Sequence, residues 1–558
     1  MSPALLRSLF ILPLLLVTAH SQFFLPHPLF GGSGDHEDSS GGLRIPGLTI
    51  TQPQDGAFAG IGFGMFSAAL KSDYKGAWEL VSLDSGANAM HVNLLPNNKV
   101  IMYDATAFRM STLKLPNGEC IPYNDDRGNP NQDCWCHAVE FNIDTAAIRP
   151  LKVKFDPWCS SGGLAVDGTL VSTGGWLSGT RTVRYMGTCQ NCNLKEYQTA
   201  LADARWYATQ ATLADGRFIL VGGRRSYSYD DGNVFIFANN RSVLLNPQTN
   251  NIIREFPVLE GGSRNYPASG MSALLPIKLH VQNAKVITVE VMICGGAKPE
   301  AYGLAQTGTF MPALQDCNRL QITTPGAQWR KETMPTPRVM GDMLNLPNGD
   351  LLILNGAKVG TAAWYSADQP NLSPVVYSPQ KPRNQRFIEL NPTTIPRLYH
   401  STSAVLPDGK ILVGGSNPNA GYNLTAKYPT EMRIEKFSPP YLDPALAMHR
   451  PKILVESSQA TLEYGKSFSL QFQLITEILL ERTNIEVTMY APPFTTHGYS
   501  MNQRLLNLAT VNVNQVLLTS QEIEVMAPPT SAVAPPGYYL IFVVYRGVPS
   551  EGMWAQIK

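Results

Sequence analysis

The dipeptide Tyr399-His400 opens the stretch PRLYHSTSAVLPDGKILVGG, which runs from Pro396 to Gly415. Tyr207 and Cys159 open two stretches of the same kind, YATQATLADGRFILVGG and CSSGGLAVDGTLVSTGG. Phenol oxygen and imidazole nitrogen together suit Cu(II), which prefers tetragonal N,O coordination. A free phenol has a pKa of about 10, so it binds as phenolate only where a cation stabilises the charged form. Each residue alone has an ordinary role: Cys159 in a disulfide, Tyr207 as an aromatic filler, Tyr399 and His400 as packing. Their meaning depends on whether the fold brings them together.

The elements that carry them recur. Each stretch reads as a strand, a turn at Asp-Gly or Asn, a second strand and then small residues. Further copies are VMGDMLNLPNGDLLILNG from Val339, a degenerate AMHVNLLPNNKVIMYD from Ala89, and MSALLPIKLHVQNAKVITVEVMICGG from Met271, with a lengthened hairpin. Copies about 40–60 residues apart predict the four-stranded blades of a β-propeller. Counting eight residues back from the turn residues Asn97, Asp167, Asp215, Asn348 and Asp408 reaches Ala89, Cys159, Tyr207, Met340 and His400. Equivalent residues of different blades ring the axis at one end, so Cys159, Tyr207 and His400 converge there. Tyr399 joins them because it stands where the chain is still entering the strand and alternation does not yet hold.

The chain has 558 residues, with 46 Gly and 42 Pro, which fits an all-β protein rich in turns. Only 16% is charged and the net charge is +1, so nothing points to nucleic acid or to an anionic surface. Residues 1–21 read as a secretory signal peptide: Arg7, then LFILPLLLV interrupted by Pro13, then Ala19 and Ser21. No later segment is long and apolar enough to span a bilayer. Residues 22–44 form a linker rich in Gly and Ser, residues 45–449 hold the repeats, and residues 450–558 lack them. This last part alternates as in SFSLQFQL and YYLIFVVYR, which suits an immunoglobulin-like sandwich. Sequons at Asn240, Asn371 and Asn423 fit a glycosylated secreted chain. The eight cysteines suggest disulfides. Cys189 and Cys192 read as a local disulfide rather than half a zinc site, and Cys294 pairs with Cys317. Cys120 pairs with Cys134 or Cys136. The one left over and Cys159 either pair or have separate fates.

The segments DPWCSSGGLAVDG, ARWYATQATLADGR, PRLYHSTSAVLPDG and TTHGYSMNQR resemble those of the copper-radical oxidases, and most closely the glyoxal (aldehyde) oxidases of plants and fungi. The resemblance implies a seven-bladed kelch-like propeller followed by an immunoglobulin-like domain. It implies that Cys159 and Tyr207 form a thioether-linked radical cofactor that ligates copper, that Tyr399 is the axial tyrosine and base, and that His400 and His497 are imidazole ligands. His497 would come from a loop of the last domain reaching into the propeller channel. The activity implied is oxidation of small aldehydes such as glyoxal and methylglyoxal with dioxygen, releasing hydrogen peroxide. The enzyme would be a secreted monomer holding one copper and needing neither membrane nor nucleic acid.

Two departures stand beside the resemblance. Galactose oxidase has a tryptophan after the Gly-Gly of its third blade, where this chain has Arg224, Arg225 and Ser226 after Gly222-Gly223. That favours the glyoxal oxidase branch. Asp231-Gly232 follows Asp215 by only 16 residues, whereas clear neighbouring turns lie 48 to 60 apart. The outer strands of blade three and the first strand of blade four are therefore expected to be missing. The rival readings are a primary-alcohol oxidase of the same family and a catalytically impaired secreted propeller that binds a glycan or a protein.

Overall fold

The computed structural model describes residues 15–18 and 69–558, with breaks at 125–127, 223–233, 247–248, 250, 280–286, 475–481 and 517–518. The linker and most of the expected leader lie outside the described residues. Among the described residues seven antiparallel sheets, one per blade, follow one another through the repeat region, as a propeller requires, and two extra two-stranded sheets, Ile121–Asn124 with Pro130–Asp133 and Ala357–Gly360 with Ala367–Pro370, extend from it. The turn residue of each repeat explains the repetition. Asn97, Asp167, Asp215, Asn348 and Asp408 each accept, through Oδ1, the backbone N–H two residues on, at 3.2, 2.9, 2.9, 3.2 and 2.9 Å. A short side chain that bonds its own backbone in this way fixes the hairpin and its register.

The ring closes by joining the two ends of the repeat region. The last blade holds Ser401–Val405, Ile411–Gly415 and Ile434–Ser438, and its outer strand is Ala77–Ser82 from the start. The lengthened hairpin of blade five pairs Met271–Leu274 with Glu290–Cys294. Its excursion, Ile277–Lys278, runs parallel to Arg504–Leu508 of the C-terminal sandwich. Disulfides join Cys120 to Cys134, Cys189 to Cys192 and Cys294 to Cys317. Cys136 and Cys159 are free and buried, so the leftover pair has separate fates.

Among the described residues blade three has Ala208–Thr212 and Phe218–Gly222, two strands where the other blades have three or more, in line with the short spacing. Blade four contains Val234–Ala238, Arg241–Asn246 and Asn251–Glu255. Beside Val234–Ala238, where an inner strand belongs, lies Leu15–Thr18, paired antiparallel. These four residues belong to the segment read above as a removable leader. A strand edge without a neighbour is a template for any extended apolar segment, and Leu-Leu-Val-Thr is one.

Two sheets form the C-terminal sandwich, one of four strands and one of seven that includes Ile277–Lys278. Its core, with Leu470, Phe472, Val487 and Ile541, is continuous with Phe235, Val291 and Leu320 of blades four and five. From the sandwich a hairpin, Phe494–Thr496 and Tyr499–Met501, enters the propeller. It pairs with the inner strand His91–Leu94 of blade one and packs on the inner strands of blades two, three, five, six and seven. The hairpin therefore occupies the axis and presents its two-residue turn, His497-Gly498, to the end where the repeats open.

Among the described residues no helix is long and apolar enough to cross a membrane. Of the sequons, Asn371 is buried and donates its amide to the carbonyl of Pro337 at 3.0 Å, so the fold leaves it no room for a sugar, whereas Asn423 is exposed.

Candidate metal centre

Four of the five residues reached by counting back, all but Ala89, share a backbone state as well as a position. Cys159, Tyr207, Met340 and His400 have φ of 57°, 62°, 51° and 66°. Positive φ is uncommon for residues other than glycine and concentrates at functional sites. Here it has a direct use. The reversal lets two successive side chains face the axis instead of alternating, and the rings of Tyr399 and His400 stack at 3.7 Å. The hairpin tip uses the same device: His497 and Gly498 have φ of 51° and 78°, the two positive values of a type I′ turn. A Cβ on Gly498 would come within 2.5 Å of the Gly341 carbonyl oxygen, so the tip fits against blade six only with glycine there.

All five candidate residues meet. The hydroxyls of Tyr207 and Tyr399 lie 3.0 Å apart although their blades are three apart in a ring of seven, as far as two blades can be. Cys159 Sγ is 3.5 Å from His497 Nε2, and the donor atoms of Cys159, His400 and His497 all lie within 4.8 Å of one another. The ring of His497 is 5.2 Å from that of Tyr207, 5.5 Å from Tyr399 and 5.0 Å from His400.

Hydrogen bonds fix which imidazole nitrogen is free. His400 Nδ1 donates to the carbonyl of Asn417 at 3.2 Å, which leaves the Nε2 lone pair; Nε2 is buried without a partner. Thr496 donates its hydroxyl to the Met90 carbonyl at 3.1 Å, so its oxygen accepts Nδ1–H of His497, also at 3.1 Å. Both histidines thus present an unprotonated Nε2, oriented by its other nitrogen as metal-ligating imidazoles are. Burial holds His400 well below the ordinary histidine range and His497 down to about 3. Burial, with the neighbouring thiol and phenols, raises Tyr207 and Tyr399 well above the tyrosine range, and burial raises Cys159 likewise. Without a cation every one of these groups is neutral. Two phenols, two free imidazole nitrogens and a thiol around one buried point form a donor set that fits copper, whose charge would supply what the phenolates need.

The chain matches the family profile described as Glyoxal oxidase N-terminus over residues 90–230 and 229–441, and that described as Galactose oxidase-like, Early set domain, over 450–557. The chain belongs to the glyoxal oxidase family of copper-radical oxidases. Aldehyde oxidase GLOX1 of Arabidopsis thaliana is 50% identical over 530 aligned positions, covering 88% of this chain and 86% of the relative. Aldehyde oxidase GLOX of Vitis pseudoreticulata is 36% identical, covering 87% and 98%. A solved structure described as a novel fungal alcohol oxidase with catalytic diversity among the AA5 family, in complex with copper, is 18% identical, covers 87% of this chain and all of its own, and superposes with a TM-score of 0.59, a likeness of fold. The first family profile matches in two pieces that meet at 229–230, inside the shortened segment. The Arabidopsis alignment agrees: 88% of 558 residues is about 491, so about 39 of its 530 positions have no counterpart in this chain.

Several site residues escaped the sequence reading. Tyr266 lies 5.0 Å from the ring of Tyr207 and 6.1 Å from that of Tyr399. It precedes Ser269, whose φ of 34° and whose carbonyl bond to the N–H of Met340, the axial residue of the next blade, make it the axial residue of blade five. The lengthened hairpin there lacks an Asp-Gly turn, so the count had no anchor. Buried arginines recur too. Arg184, Arg205 and Arg397 donate to the carbonyls of Gly174, Gly222 and Gly415 at 2.7, 2.8 and 2.9 Å, and Arg264 and Arg338 to those of Gly295 and Asn355. Each ties a blade's second strand at the axial end. The available signal was an arginine two residues before Tyr207, Met340 and Tyr399. A second signal is an aromatic just before the axial residue, in Trp158-Cys159, Trp206-Tyr207 and Tyr399-His400.

Proposed function

We propose that this chain is a secreted copper-radical oxidase that converts small aldehydes of the glyoxal and methylglyoxal type, with dioxygen and water, to carboxylic acids and hydrogen peroxide. One observation carries the reading: two phenols from far-apart blades meet at 3.0 Å beside a free buried thiol and two imidazoles, each with an unprotonated Nε2. The relatives named aldehyde oxidase support the substrate class. Residues 45–449 would form the catalytic propeller and residues 450–558 the sandwich that supplies His497. The three disulfides support an oxidising compartment.

In this reading Tyr207, Tyr399, His400 and His497 would hold the copper, and Cys159 would be bonded through sulfur to the ring of Tyr207. Bound copper supplies one of the two one-electron acceptors that the oxidation needs. The chain's own residues do the rest. Tyr399 takes a hydroxyl proton from the hydrated aldehyde. The Tyr207 radical would take the hydrogen atom from the carbon that bears that hydroxyl. The electron-donating sulfur lowers the cost of forming that radical. Two electrons and two protons leave the hydrate, giving the acid, and dioxygen takes up both pairs as hydrogen peroxide.

The test is oxygen uptake and peroxide release over aldehydes and primary alcohols. Small aldehydes should be oxidised fastest, and a preference for galactose would overturn the branch. The third blade, which has two strands among the described residues, favours one rival, an impaired propeller that binds a glycan or a protein. Copper content measured together with peroxide release separates the two.

A further inference from the structure

Aromatic side chains from blades far apart close over the axial end. Trp158, the residue before Cys159 in blade two, stacks on Trp364 with ring centroids 5.5 Å apart and planes at 17°. Trp364 lies in the hairpin loop between Ala357–Gly360 and Ala367–Pro370 of blade six, three blades away the shorter way round. It packs against the cluster that holds Cys159 and Tyr207 and also against the one that holds Tyr399 and Met340. The pair therefore bridges the axis directly beside the two phenols.

The loop holds Trp364 in a fixed place. Its neighbours Ala363 and Tyr365 have φ of 105° and 58°, a strained conformation for side-chain-bearing residues. Ala362 N–H donates to the Pro267 carbonyl at 2.8 Å and Tyr365 N–H to that of Pro418 at 2.9 Å, which fastens the loop to both neighbouring blades. The indole N–H groups of Trp158 and Trp364 are buried with no acceptor. Trp158 and Trp364 thus present near-parallel apolar faces, and their polar edges carry a hydrogen-bond donor and no acceptor.

We infer that Trp364, stacked on Trp158 across the axis, is a specificity-determining residue that limits the reacting aldehyde to a small or flat one whose oxygens accept hydrogen bonds. This rests on the oxidase reading. A ligand that slides beneath the indoles is limited in thickness by their rings. A branched aldehyde is too thick, and a polyhydroxylated sugar brings donors that the indoles cannot satisfy. The limit comes from this residue and not from the metal ligands, so changing it alters preference while leaving the copper in place.

The experiment compares kcat/KM for methylglyoxal and for 3,3-dimethylbutanal in the copper-loaded chain and in Trp364→Ala, Trp364→Leu and Trp364→Phe. A few carbons' worth of pocket discrimination corresponds to about tenfold or more, so Trp364→Ala and Trp364→Leu should each raise the ratio of branched to small substrate at least about tenfold. Trp364→Phe should keep it within about threefold, because it keeps a flat ring. Copper content and melting temperature show that each variant is folded, and Trp364→Leu carries the test if Trp364→Ala does not fold. A ratio that stays put in folded, active Ala or Leu variants overturns the inference alone. A parent chain that oxidises neither aldehyde overturns the oxidase reading, and the inference with it.

Discussion

Replacing Thr496 by valine tests whether the hairpin tip prepares His497 for a metal. The substitution keeps the branched shape and removes one hydroxyl. That hydroxyl accepts Nδ1–H of His497 at 3.1 Å and donates to the Met90 carbonyl at 3.1 Å, in a position that is 2% exposed. Losing it strands a buried donor, which costs about 1–3 kcal/mol. It also frees the imidazole to place its proton on Nε2, the atom that should bind copper. If that cost falls on the metal-bound state, affinity drops about 5- to 150-fold, at about 1.4 kcal/mol per factor of ten. Losses of about 10–100-fold on removing such outer partners of ligating histidines agree. Copper affinity measured by competition with a chelator, alongside the melting temperature of the metal-free protein, gives the answer. A folded Thr496→Val chain that binds copper within about twofold of the parent would refute the reasoning, because the tautomer of His497 would then not depend on Thr496.

Other outcomes follow from the same geometry. His400→Ala and His497→Ala should each lose the copper or most of the activity, whereas Tyr399→Phe should keep copper and lose turnover; copper analysis with peroxide assays checks both. Inserting about 30–40 residues between Gly223 and Asp231, to restore the spacing of a blade array, should raise secreted yield, melting temperature and peroxide production. Equal values for the short and long chains would show that the shortened segment is a tolerated bridge. His137 is buried between Asp104 and Asp133, at 3.1 Å from each; burial lowers its pKa, but the two carboxylates outweigh burial and raise it to about 9. Its folded pKa lies above the unfolded value, so its contribution to stability is full below about 6.5 and is lost as the pH rises through about 9. Urea midpoints between pH 6 and 10 should fall for the parent and fall less for His137→Gln.

The propeller was legible because its turns are encoded locally. Five Asp or Asn residues bond their own backbone, and they fall at a fixed distance from the residues that ring the axis. Counting from them located Cys159, Tyr207 and His400 without any knowledge of the fold's interior. What made Tyr399 and His400 both usable was hidden, since a left-handed φ at cysteine, tyrosine, methionine or histidine leaves no mark in composition. His497 was reachable only through resemblance, because a histidine in a hairpin turn reads as surface until the hairpin is seen to occupy the axis. Tyr266 was lost to a hairpin that had traded its Asp-Gly turn for a contact with the sandwich. Trp364 sits on a loop with no period, and its partner Trp158 is 206 positions away. The place taken by Leu15–Thr18 is an edge of Val234–Ala238 that no other described strand covers, a tertiary cause that the leader's own sequence does not contain.

The central claim is that Cys159 and Tyr207 become one redox cofactor. The direct measurement is peptide mass analysis after copper loading in air. The account predicts that the proteolytic peptides bearing Cys159 and Tyr207 travel as one covalent species, lighter than their sum by two hydrogen atoms and unchanged by thiol reductants. Separate peptides, or Cys159 recovered in a disulfide, would contradict it.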